Sequence, residues 1–160
     1  MMVGEQPGDQ EDLQGHPFVG PAGRELDKAL AGAGLDRGKV YITNVVKHFK
    51  NEPRGKRRLH KRPNRYEVDR CRWWLDQEMS LVKPDLILAL GATAAQLLMG
   101  KTVVLSRLRG QVLQMPDGHR AMVTTHPSSI LRMPDQESRH QARAALVEDL
   151  KAAVRAAASS

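Results

Sequence analysis

The chain has 160 residues, 41% of them hydrophobic and 27% charged, with one cysteine and a formal net charge of +7. That length holds one domain with a core of its own, and the composition excludes a disordered chain. One cysteine excludes an internal disulfide, no run of about 18 apolar residues offers a membrane span, and MMVGEQPGDQ lacks the features of a signal peptide, so a cytoplasmic protein is expected.

MMVGE reads as the end of a buried strand running into the turn QPGDQ. Because that strand begins at residue 1, sequence upstream of it is expected to be missing. GPAGRELDKALAGAGL (20–35) spaces Leu26, Leu30 and Ala33 as on a helix and ends in glycines. VYITN (40–44) is a short β-branched strand. NRYEVDRCRWWLDQEMSLV (64–82) reads as an amphipathic helix capped by Asn64, with Glu67 three residues on. PDLILALG (84–91) is a continuous apolar run, hence a strand buried on both faces. ATAAQLLMG is a short helix closed by Gly100. RGQVLQM (109–115) and RAMVTTHP (120–127) are two further strands, and a long helix starting at DQESRHQ ends the chain. Strands alternating with helices predict an α/β domain around a mainly parallel sheet, whose ligand sites lie at the carboxyl ends of the strands.

The charge is focused. Residues 47–72 hold 11 Lys or Arg and 3 acidic residues, a net +8 against −1 for the rest of the chain. Such a patch on a neutral body suits a phosphate backbone, although a solvated loop or a localisation signal has the same composition. Within it, GKRRLHKR (55–62) surrounds His60 with cations.

Each strand end offers reactive side chains. GEQPGDQ (4–10) holds a carboxylate and an amide on a turn that is neither a dinucleotide fingerprint nor a P-loop; it either positions a reacting group or simply leads into the next helix. Phe18 in FVGPAG is a stacking platform or a core residue. Asn44 presents a donor and an acceptor together, as a nucleobase edge requires. His126 in THPSS can donate to a developing anion or be a structural histidine. Cys71 and His48 are two metal-ligand types, but two do not make a site, and Cys71 also reads as a helix residue facing the core.

Taken in order, GEQPGDQED, PFVGPAG, VYITNVVKHFK, PDLILALGATAA and TTHPSSILR resemble the uracil-DNA glycosylase superfamily near its iron–sulfur-containing family 4. KRRLH (56–60) and Gln6 narrow the resemblance to the UdgX-type branch, whose signature is KRRIH; Leu59 replaces the isoleucine. The resemblance covers nearly the whole chain. It implies one domain over 1–160, a three-layer α/β/α fold with a mainly parallel four-stranded sheet, and a DNA-binding loop over 47–63.

It also implies a chemistry. UdgX-type proteins excise uracil from DNA and stay joined to the abasic sugar through the motif histidine, here His60. By motif, Asn44 reads the uracil edge, Phe18 stacks on its ring and Gly4 lies against the base. His126 stabilises the departing anion, Glu5 acts beside the sugar, and Gln6 excludes or orients water. Lys56, Arg57 and Arg58 clamp phosphates, and Ser128, Ser129 and Arg132 contact the strand. A [4Fe–4S] cluster is implied too, with Cys71 and His48 at two of its ligand positions, but the family's upstream CxxC is absent from this chain. The expected partner is uracil-containing DNA, single strands favoured because the base must leave the stack, and the expected state is a monomer. A conventional turnover glycosylase and an inactive nucleic-acid-binding module are the alternatives.

Overall fold

A computed structural model describes residues 1–159. The chain runs from β1 (Met2–Gly4) through α1 (Asp9–Gln14) and α2 (Pro21–Gly32) to β2 (Ile42–Asn44). A hairpin of β3 (Asn51–Arg54) and β4 (Arg57–His60) leads into α3 (Arg65–Val82) and β5 (Ile87–Leu90). Then come α4 (Ala92–Met99), α5 (Leu105–Leu108), β6 (Leu113–Gln114), β7 (Arg120–Thr124), α6 (Ser128–Leu131) and α7 (Gln136–Ala158). No helix among the described residues is long and apolar enough to cross a membrane.

The main sheet has the order β2-β1-β5-β7-β6, parallel except where β6 pairs with β7. It is one strand wider than expected. Residues 109–115 do not extend as one strand: Gly110 takes φ +76° just after α5, and only Leu113 and Gln114 pair. The result is an antiparallel edge on a parallel sheet.

Burial on both faces explains the apolar run at 86–90. Ile87 and Ala89 face a layer holding Val68, Leu75 and Met79 of α3 and Leu98 of α4. Leu88 and Leu90 face Leu26 and Leu30 of α2 and Leu146 and Leu150 of α7. Alternate residues of one strand thus feed two cores, giving three layers. The Asn64 cap forms as expected: Glu67 N–H donates to Asn64 Oδ1 at 2.9 Å, and Asn64 N–H donates back to Glu67 Oε2 at 2.8 Å.

The basic segment is ordered rather than an open loop. Gly55 and Lys56 form a two-residue turn, with Gly55 at φ +61°, and Asn51 pairs across from His60. The hairpin therefore ends with His60 at its base, next to the main sheet's carboxyl edge.

Candidate active site

A cleft of about 810 Å³ opens at the carboxyl ends of the parallel strands. Glu5 follows β1, Asn44 ends β2, Gly91 follows β5 and His126 follows β7, and all four line the cleft. Phe18 reaches the same cleft from the loop before α2, and His60 reaches it from β4. Four of these residues are brought together by the sheet register, and the loop before α2 and the hairpin add Phe18 and His60.

At the inner end, Asn44 and Phe18 are each only 6% exposed. Asn44 Oδ1 has no hydrogen-bond partner among the described residues, an acceptor buried at the wall of a cleft. Leaving such an atom unmatched costs on the order of 1–3 kcal/mol, so the site is built for a donor. Gly4 lets Asn44 and Phe18 approach: a Cβ there would collide with Asn44 Oδ1 and the Phe18 ring. Phe18 holds φ +51°, a left-handed conformation that is costly for an aromatic residue. Glu11 of α1 maintains it, accepting from Val19 N–H at 3.1 Å and Gly20 N–H at 2.9 Å. No motif spacing singles out Glu11, whose amide partners lie eight and nine residues further along the chain.

His126 lies 5.7 Å, ring to ring, from Phe18. Ser128 N–H donates to its Nδ1 at 3.1 Å, and the Ser128 hydroxyl lies 2.7 Å from the same nitrogen. An Nδ1 that accepts fixes the neutral tautomer with the proton on Nε2. Burial pushes the His126 pKa down to about 4, helped by the charges of Arg132 and His60, against the pull of Glu11. The ring is an uncharged donor at neutral pH. Ser128, expected at a DNA-facing position, thus spends its hydroxyl on His126 and on Arg132, whose Nη1 donates to it at 3.3 Å. Ser129 sits partly buried on α6, and Arg132 is exposed at its end.

At the rim, His60 Nε2 lies 3.1 Å from Glu5 Oε1. The Glu5 side chain is 15% exposed and that of His60 55%. Gln6 holds the base of the hairpin: its Oε1 accepts from Lys50 N–H at 3.1 Å and its Nε2 donates to Lys61 O at 2.8 Å. The two ends of its amide thus bind backbone at the hairpin's two outer ends, which holds His60 at the base. Arg58, expected to clamp phosphate, is engaged within the protein. Its Nε donates to Asp9 Oδ1 at 2.6 Å and its Nη1 to Asp12 Oδ2 at 2.8 Å, while the guanidinium lies 5.2 Å from the Phe49 ring centroid. Lys56 and Arg57 remain exposed at the turn.

The residues present do not fit the iron–sulfur cluster that the resemblance implies. Cys71, the sole cysteine, is buried in α3, where its Sγ accepts from Lys47 N–H at 3.4 Å. His48 is exposed, and no group of three or more His, Cys, Asp or Glu able to hold a metal ion occurs among the described residues. A cubane cluster needs four thiolate-type ligands, and one does not supply it. Cys71 is a core residue here.

Fold and cleft together define an α/β protein with a cleft at the carboxyl ends of its parallel strands and an imidazole–carboxylate pair at the rim. The chain belongs to the uracil DNA glycosylase superfamily, whose family model matches residues 1–151. It is 39% identical over 140 residues to the type-4 uracil-DNA glycosylase of Thermotoga maritima, covering 87% of this chain and 69% of that protein. Identity to the type-4 uracil-DNA glycosylase of Pyrobaculum aerophilum is 40% over 144 residues, covering 84% of this chain and 68% of that protein. For the type-4 enzyme of Archaeoglobus fulgidus it is 35% over 148 residues, covering 88% and 71%.

Proposed function

We propose that the chain excises uracil from DNA and then bonds to the abasic sugar through His60. The observation that carries this reading is the contact of His60 Nε2 with Glu5 Oε1, 3.1 Å, at the rim of the cleft that also holds Asn44, Phe18 and His126. The kinship with type-4 uracil-DNA glycosylases supports the substrate class.

A uracil swung out of the strand enters between Phe18 and the Gly4 backbone. Its N3–H donates to Asn44 Oδ1, the acceptor otherwise left without a partner, and its O4 accepts from the Asn44 amide. Cytosine presents the opposite pattern at both positions and is rejected. As the N-glycosidic bond breaks, electrons pass to the base, and the neutral His126 stabilises the uracil anion by donating from Nε2. Positive charge grows at the sugar C1′, opposite the Glu5 carboxylate. A lone pair of the His60 imidazole then attacks C1′, forming a C–N bond, and Glu5 takes the proton that the resulting imidazolium releases. Both bonds balance: one C–N breaks towards uracil, one forms towards His60.

Lys56 and Arg57 at the hairpin turn and Arg132 after α6 supply phosphate contacts, with Ser129 on α6, and the chain acts as a monomer on single-stranded DNA, where no duplex must open. The test is a denaturing gel of the chain incubated with a single-stranded oligonucleotide carrying one uracil, beside a His60→Ala variant. The expected result is a protein–DNA band that survives denaturation, needs uracil and is absent from the variant. Abasic product without such a band makes the chain a turnover glycosylase; neither product makes it a binding module.

A further inference from the structure

The residue proposed to read uracil ends an edge strand, where half of the backbone has no neighbouring strand to bind. Val45 N–H donates to Gly4 O at 2.9 Å on β1. In a trans peptide the N–H and C=O point in opposite directions, so the Asn44 carbonyl faces away from the sheet. It is met there by an ammonium: Lys47 Nζ donates to Asn44 O at 2.6 Å, to Thr43 Oγ1 at 2.8 Å and to Glu78 Oε2 at 2.5 Å. Its three donors have three acceptors. Glu78 in turn accepts at Oε1 from Thr43 Oγ1 at 2.8 Å and Tyr41 OH at 3.0 Å. One turn pair of α3 away, Cys71 accepts the Lys47 backbone N–H.

We infer that Lys47 and Glu78 are positioning residues for Asn44, clamping the open side of β2 to α3 so that the side-chain amide keeps its place in the cleft. The inference rests on the reading of Asn44 as the uracil-reading residue. The clamp stands where a sixth strand would otherwise hold the edge. Its side chains are each 22% exposed, so water competes poorly for these bonds, and losing the ammonium leaves both a carbonyl and a carboxylate unmatched. Because Val46 N–H also donates to Glu5 O at 2.9 Å, a shift at 44–46 is passed to the carboxylate beside His60.

The test compares single-turnover uracil release, protein in excess over single-stranded DNA, for the unaltered chain, Lys47→Met, Glu78→Gln and the double variant that removes both charges. Arg143→Met, which breaks the part-buried Glu25–Arg143 pair between α2 and α7, is the control for lost stability alone. Expected is a fall of at least about ten-fold in the rate at saturating protein for Lys47→Met, as for other small displacements of a reading group. The half-saturating protein concentration stays within about two-fold, since phosphate contacts set it. Discrimination of uracil from cytosine falls in parallel, and the double variant, which keeps no buried lone charge, shows the same loss while folded. A saturating rate in the folded double variant equal to that of the unaltered chain would overturn the inference, as would a loss matched by Arg143→Met at equal folded fraction. No uracil release by the unaltered chain overturns the proposed function and this inference with it.

Discussion

Burial of the ring, with the charge of Arg132 nearby, keeps His126 neutral, and the cost of that arrangement shows in acid. A histidine held at a pKa of about 4 in the fold and near 6.5 when unfolded binds its proton first in the unfolded chain. Stability is therefore level above about pH 6.5, declines as the pH falls through that value, and levels again below about 4. Between pH 7 and pH 5 the His126 contribution to that decline is about 2 kcal/mol. Urea titrations at the two pH values, on the unaltered chain and on His126→Gln, isolate it: the variant loses that much less stability on acidification. An equal decline in both would show that the ring takes its proton freely in the fold. The residue types at this end of the cleft were legible because Asn44, Phe18 and His126 are each the kind of group a base needs. The groups that make them work were not. Glu11 and Ser128 act through backbone amides next to them only after the chain has turned, and nothing in their spacing announces that turn.

The hairpin sorts the basic motif by alternation. Once residues 57–60 form a strand, side chains two apart share a side, so Arg58 and His60 fall together and Arg57 and Leu59 fall opposite. Phe49 confirms the grouping, with Arg58 at 5.2 Å and His60 at 6.5 Å from its ring centroid. Arg58 anchors to Asp9 and Asp12 of α1, the helix that follows Glu5, and so ties the strand carrying His60 to the segment carrying Glu5. Neighbouring cations should therefore fail differently. Arg58→Ala lowers the rate of adduct formation at saturating DNA by about ten-fold or more while changing affinity for uracil-free strand little. Lys56→Ala leaves the saturating rate alone, weakens binding to any strand and reduces the slope of log affinity against log salt by about 0.7. Adduct kinetics and fluorescence anisotropy at several salt concentrations separate the two, and identical behaviour would mean that Arg58 is only one more surface charge. The sequence made the cations obvious and their division obscure. GKRRLHKR has the composition of a disordered basic loop, and only the two-residue turn at Gly55 and Lys56 reveals the period of two.

Across the whole molecule, the sheet joins two cores, one on each of its faces, and the cleft lies at the strand ends between them. Strand identity was the most legible feature, because a run such as ILAL with no polar alternation must be buried on both faces. The edge strand β6 was less so: two paired residues carry too little pattern to separate from the turn before them. Leu75 of α3 and Leu150 of α7 are each fully buried, on opposite faces of the sheet. Truncating either to alanine removes transfer energy and leaves a cavity, at about 2–5 kcal/mol each. Because they belong to separate cores on opposite faces of the sheet, the two losses add to within about 0.5 kcal/mol. A domain of this size has about 5–15 kcal/mol in all, so each single variant stays folded at 25 °C and the double approaches its limit. The local consequences differ: Leu75→Ala loosens the helix whose Glu78 and Glu67 bind Lys47 and Lys50, whereas Leu150→Ala loosens the helix beneath Leu90 and Met122. Urea midpoints of the two single variants and the double give the sum, and a double-variant loss well short of additive would show that the layers exchange strain through the sheet. Hydrogen exchange at the 44–50 amides then distinguishes the faces, quickening in Leu75→Ala before it does in Leu150→Ala.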